Sequence, residues 1–116
     1  MTTEAEFQRQ VCELAAICGW RFLHVRKSIG RRGGEAGWQT TTNLKGWPDL
    51  LLWSEKQRRV LAAELKSEKG RVSDAQYEIL ESLHAAGVET YIWRPADLTQ
   101  IQSVFRAPCY LPDGAA

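Results

Sequence analysis

Asp49, Glu64 and Lys66 carry the chemistry that this chain offers, because their types and spacing put two carboxylates and an ammonium on what reads as one β-hairpin. The runs Pro48-Asp49-Leu50-Leu51-Leu52-Trp53 and Val60-Leu61-Ala62-Ala63-Glu64-Leu65-Lys66 flank the polar stretch Ser54-Glu55-Lys56-Gln57-Arg58-Arg59, the layout of two strands and a short loop. A turn centred on Lys56 and Gln57 pairs residues whose numbers sum to 113, so Trp53 faces Val60, Leu51 faces Ala62 and Asp49 faces Glu64. Directly opposed side chains have Cβ atoms roughly 5 Å apart, and like charges there repel unless something sits between them. A hard divalent cation fills that role: magnesium takes one or two carboxylates and completes its shell with water and phosphate. Strand side chains alternate, so Glu64 and Lys66 share a face while Leu65 points to the core. The lysine then lies beside the ion, placed to orient or deprotonate a water or to hold a phosphate oxygen. This is the outline of a magnesium-dependent nuclease site.

Asp49 followed fifteen residues later by Glu64-Leu65-Lys66 resembles the PD-(D/E)XK nuclease core. A wider series carries the resemblance along the chain: Glu4-Ala5-Glu6-Phe7-Gln8, Gly46-Trp47-Pro48-Asp49-Leu50, Glu64-Leu65-Lys66, Gly70-Arg71-Val72-Ser73-Asp74-Ala75-Gln76 and Gly87-Val88-Glu89-Thr90-Tyr91-Ile92-Trp93-Arg94-Pro95. In that order the segments are similar to the virus-type replication-repair nuclease (VRR-NUC) branch, from Glu4 to about Leu98. The resemblance implies an α/β fold with a restriction-endonuclease-like core, a mixed central sheet flanked by helices. It implies divalent-metal phosphodiester hydrolysis, a preference for branched DNA such as Holliday junctions, and a homodimer with paired sites. On the hairpin reading Asp49 and Glu64 hold one or two Mg²⁺ ions, with Mn²⁺ as a substitute and Glu4 as a direct or water-mediated ligand; the resemblance adds the Leu65 carbonyl as a ligand and a glutamine, Gln76, close to the active site.

Length and composition bound the alternatives. One domain fits 116 residues, and 44% hydrophobic with 25% charged residues is ordinary for a globular protein. No apolar run approaches the ~20 residues of a membrane span, and the first residues lack the regions of a signal peptide, so the expected setting is the cytoplasm; the resemblance points to a bacterial or phage-infected cell. Cys12, Cys18 and Cys109 show no CxxC pairing, which argues against a zinc site or a disulfide framework. Residues 21–45 hold Arg21, Arg26, Lys27, Arg31, Arg32 and Lys45 against the single acid Glu35, a local charge of +5 within a chain whose net charge is +1. Clustered basic charge is the electrostatic footprint of a nucleic-acid surface, and Arg26, Lys27, Arg31, Arg32 and Lys45 are the expected DNA contacts. A solvated loop rich in arginine is the plainer reading of the same residues.

The elements that must position these groups are legible in outline. Phe7, Val11, Leu14, Ala15 and Cys18 make the apolar stripe of an amphipathic first helix that ends near Gly19. On the same wheel Glu4 falls about 60° from Phe7, on the stripe, and Glu6 about 100° the other way, on the polar face. Glu4 therefore points inward and needs a partner, which a metal held by the hairpin would supply; alternatively it is an acid favoured by the helix dipole. Arg21 to Arg26 reads as a first strand, and 27–45, with four glycines, as a long loop. Trp38 and Trp47 lie in or beside that loop, to stack on unpaired bases or to pack beneath it. Ser73-Asp74-Ala75-Gln76 opens a second helix as a capping box, with Ile79, Leu80, Leu83 and Ala86 apolar and Gly87 at its end. Gln76 is then either a cap or a site residue. Glu89 to Trp93 reads as a last strand, 97–105 as a short helix, and the domain as 1–106 with an irregular tail at 107–116. Five tryptophans suggest an aromatic subunit interface. Two readings stand beside a junction nuclease: a DNA-binding or assembly module whose acids are structural, and a nicking or restriction-type endonuclease on duplex DNA.

Overall fold

Thr3 starts the fold by capping α1 (Glu4–Ile17): its Oγ1 accepts from the Glu6 N–H at 3.0 Å, and Glu6 Oε1 accepts from the Thr3 N–H at 3.2 Å. The computed structural model describes residues 2–25 and 45–107. In α1 the buried positions are Phe7, Val11 and Ala15, the stripe that the periodicity predicts. Helix α1 stops at Cys18, and Gly19 takes φ +85°, a region that costs glycine nothing because it has no Cβ. The chain then reverses into β1 (Arg21–His24).

Strands β2 (Leu50–Ser54) and β3 (Arg59–Leu65) form the hairpin, and β4 (Glu89–Trp93) joins β3 in parallel after the crossover helix α2 (Asp74–Ala85). The sheet order is β1-β2-β3-β4, antiparallel up to β3 and parallel beyond it, the mixed sheet expected. Leu50 pairs with Ala63, Leu51 with Ala62 and Trp53 with Val60. Every pair sums to 113, as a turn centred on Lys56 and Gln57 requires.

One sheet face holds Leu50, Leu52, Leu61, Ala63, Leu65 and Trp93, packed against Phe7, Val11, Ala15 and Trp20 and against Ile101 and Phe105 of α3 (Leu98–Arg106). Each large side chain buried there contributes about 1.5–3 kcal/mol. The end of α3 is fixed by side chains rather than by a helical cap. Trp20 Nε1 and Gln57 Nε2 donate to the Phe105 carbonyl at 2.9 and 2.8 Å, and Arg59 Nη1 donates to the Val104 carbonyl at 2.8 Å. Arg59 also forks onto Glu89 at 2.8 and 2.7 Å and lies 5.0 Å from the Trp20 ring centre. Trp20 and Trp93 are core residues while Trp47 and Trp53 are half-buried, so the tryptophan count does not by itself argue for a subunit interface. In α2 only Leu80 is buried, and Ala86, expected on its apolar face, is the exposed C-cap. No helix among the described residues is long and apolar enough to cross a membrane.

Candidate active site

Strand alternation sends Asp49, Leu51 and Trp53 to the sheet face opposite the core, and the same parity sends Ala62 and Glu64 there from β3. Extending the observed register by one pair sets Asp49 across from Glu64. Asp49 is half-buried, and its Oδ2 accepts from the Leu65 N–H at 2.8 Å, so its carboxyl group is drawn across the strand gap to the backbone beside Glu64. Ahead of it Pro48 is buried, and Val25 N–H donates to the Asp49 carbonyl at 2.8 Å, which ties this strand entry to the end of β1.

Glu64 is only 2% exposed. The side chain of Lys66 is 16% exposed, and its Nζ lies 3.4 Å from Glu64 Oε2. A solvated strand-surface ion pair, the plain alternative for these two residues, does not describe such a buried carboxylate. A second donor reaches the same oxygen: Gln76 Nε2, at 2.7 Å. Gln76 is at the same time the partner of the α2 cap, its Oε1 accepting from the Ser73 N–H at 2.9 Å while its own N–H donates to Ser73 Oγ at 3.1 Å. The two roles considered for Gln76 are therefore met by one side chain. Because the cap engages Oε1, the amide NH₂ is left facing Glu64.

Gly46 fits the strand entry to this helix. Its φ is +88°, and a Cβ there would lie 2.5 Å from the backbone C and O of Ala75 and 2.9 Å from the Gln76 nitrogen. Only glycine lets the segment carrying Asp49 press so closely on the turn carrying Gln76.

Glu4 departs from its expectation. It is exposed: the buried stripe of α1 begins only at Phe7. Among the described residues no three acidic, histidine or cysteine side chains converge into a metal-binding group. The end of β1 at His24 pairs with Leu50, next to Asp49. Lys45 is exposed at the start of the same strand entry. Arg26, Lys27, Arg31, Arg32 and Trp38 lie outside the described residues.

Two further residues hold this site together. Ser73 was legible as a cap but not as the group that orients Gln76. Arg94, part of the Gly87–Pro95 segment, donates through Nη1 to the carbonyls of Ser67 and Gly70, both at 2.7 Å, a role its sequence context does not announce.

As a metal site, the hairpin offers hard oxygens only: the Asp49 and Glu64 carboxylates and the Leu65 carbonyl between Glu64 and Lys66. That donor set suits magnesium or manganese and offers nothing to a thiophilic metal. Compared with known families, residues 5–96 match the family model described as the VRR-NUC domain. No curated protein and no solved structure matches the chain.

Proposed function

Since this chain belongs to the VRR-NUC domain family, a nuclease family, through 5–96 of its residues, we propose that it is a magnesium-dependent endonuclease selective for branched DNA, with its catalytic centre on the β2–β3 hairpin. The observation that carries this reading is the buried Glu64 carboxylate, set across the hairpin from Asp49 and receiving both Lys66 and Gln76 on one oxygen.

Asp49, Glu64 and the Leu65 carbonyl would hold the ion, and Glu4, exposed at the start of α1, would reach it through water. Magnesium bound there supplies a lower pKa for water and neutralises charge growing on the phosphate. The chain's own groups do the rest. Lys66 holds the attacking water or a phosphate oxygen beside Glu64. Gln76 fixes the Glu64 carboxylate in one orientation and leaves Lys66 a defined partner. Lys45, with Arg26, Lys27, Arg31 and Arg32, binds backbone phosphates; such contacts give affinity without sequence information, as a shape-selective enzyme needs. Symmetrical resolution of a four-way junction takes two cuts on opposing strands, which argues for a homodimer with paired sites.

The test is cleavage of labelled junction, flap, splayed and linear DNA by the purified protein in Mg²⁺, Mn²⁺ or EDTA. Cutting of branched DNA in Mg²⁺ and Mn²⁺, abolished by EDTA, is expected. Binding without cutting in any metal would favour a non-catalytic module, and equal cutting of linear duplex would favour a nicking or restriction-type enzyme.

A further inference from the structure

The segment from Lys66 to Gln76 joins the two donors that meet on Glu64, and a single arginine holds its turn. Lys66 N–H donates to the Trp93 carbonyl at 3.0 Å, continuing the parallel β3–β4 ladder one residue past its last pair. The next position on β4 is Arg94, whose own N–H donates to Asp97 Oδ2 at 2.8 Å as the chain turns into its short 3₁₀ helix, Pro95–Asp97. Immediately after Lys66 the main chain folds into a tight turn in which Gly70 N–H donates to the Ser67 carbonyl at 3.2 Å. Arg94 Nη1 reaches into this turn. It donates to the carbonyls of Ser67 and Gly70 at 2.7 Å each and lies 3.4 Å from that of Glu68.

The turn is packed against the lysine it follows. A Cβ on Gly70 would stand 3.1 Å from Ser67 Oγ and 3.4 Å from Lys66 Cδ, so the backbone of Gly70 lies along the Lys66 stem. A four-carbon stem with an ammonium at its tip has many rotamers, and one side walled by this turn removes some of them. Beyond Gly70 the chain needs only Arg71 and Val72 to reach the Ser73 cap. The position of the turn therefore sets both where Lys66 Nζ sits beside Glu64 and where α2 presents Gln76.

We propose that Arg94 is a positioning residue of the nuclease centre, acting through the 67–70 turn to hold Lys66 and Gln76 against Glu64 without touching DNA itself. This rests on the nuclease reading above and extends it to a residue on a different strand. Both short contacts come from one nitrogen, so a lysine ammonium in its place supplies donors to the same carbonyls, whereas methionine keeps the stem and supplies none.

The experiment compares wild type, Arg94→Met and Arg94→Lys in three measurements. These are the single-turnover cleavage rate at saturating junction DNA, DNA affinity in Ca²⁺, and backbone amide exchange across 66–70. Arg94→Met should cut roughly ten- to hundredfold more slowly, the usual effect of slightly misplacing a catalytic group, with affinity unchanged. Arg94→Lys should recover most of the rate, and exchange at the Lys66 and Gly70 amides should speed up in Arg94→Met alone. Unchanged rate and exchange in Arg94→Met would overturn the proposal. So would a loss confined to affinity, which would make Arg94 a phosphate contact. Should Arg94→Met fail to fold, Gly70→Val crowds the same turn with Arg94 intact, and a folded Gly70→Val protein cutting at the wild-type rate would overturn it equally. A wild-type protein that cuts no substrate sinks the nuclease reading, and the exchange measurement still decides whether Arg94 holds the turn.

Discussion

Gln76 Nε2 donates to Glu64 Oε2 across 2.7 Å, joining the first turn of α2 to a carboxylate on β3. The helix cap fixes which end of the amide faces the acid, so a device that ordinarily stabilises a helix here also orients a buried carboxylate. Separating the two functions is straightforward. Gln76→Ala loses the cap and the donor, and should lower the cleavage rate roughly ten- to hundredfold, the usual cost of removing an outer-shell partner. Ser73→Ala removes the hydroxyl cap but keeps the N–H that engages Gln76 Oε1; it should cost about 1 kcal/mol of stability and leave the rate within about threefold. Equal rates for the two variants in single-turnover assays would contradict the orienting role.

Gly46→Ala should be among the most damaging small substitutions in the chain. It asks an alanine to adopt φ +88° and to place a Cβ 2.5 Å from the Ala75 backbone. Left-handed strain alone costs of order 1–3 kcal/mol, and the clash adds to it. Thermal melting is the check: a clear fall with loss of cleavage is expected, and a wild-type melting temperature would show that the strand entry and α2 are not pressed together as described.

Glu4 and Glu6 should separate cleanly, in opposite directions. Glu6→Ala breaks the box with Thr3 and should lose about 1 kcal/mol of stability with the rate of folded protein unchanged. Glu4→Gln should leave melting unchanged and, on the proposed function, reduce cleavage by less than Asp49→Asn does, because an exposed acid would act on the ion through water. Wild-type cleavage by Glu4→Gln would remove Glu4 from the site.

The contribution of Glu89 should depend on pH. Hydrogen bonding from Arg59 holds its carboxyl below the usual glutamate range, against the opposing effect of burial, with the Arg59 charge and Tyr91 adding to the lowering. A carboxyl whose folded pKa is depressed binds protons more readily in the unfolded chain. Its stabilisation is complete above the ordinary glutamate pKa of about 4.3 and fades as pH falls through the lower folded value. Denaturant titrations should show Glu89→Gln less stable than wild type at neutral pH and the gap narrowing in acid; a gap independent of pH would mean that the ion pair with Arg59 contributes nothing.

What the residues made legible was periodic or local. The hairpin register followed from two apolar runs and a polar loop, and it set Asp49 opposite Glu64 without reference to any motif. The Ser73 to Gln76 spacing announces its box for the same reason, and Thr3 to Glu6 carries the same signal. A helical wheel, by contrast, gives the direction of Glu4 but not what lies opposite it, and at the end of α1 nothing described covers it. Arg94 was invisible because its acceptors are main-chain carbonyls 24 to 27 residues away, and a carbonyl has no residue type to recognise. The hydrogen bond from Leu65 N–H to Asp49 depends on side-chain rotation that no pairing register specifies.

The most direct measurement is the Mg²⁺-dependent cleavage rate of Glu64→Gln on labelled branched DNA, beside Asp49→Asn and Lys66→Ala. Glutamine preserves the size of the side chain at this buried position while removing the charge that would hold the ion and pair with Lys66. The account predicts a folded protein that still binds DNA and does not cut it, with the same outcome for the other two variants. Cutting by Glu64→Gln at the wild-type rate would contradict the assignment of the centre to the hairpin.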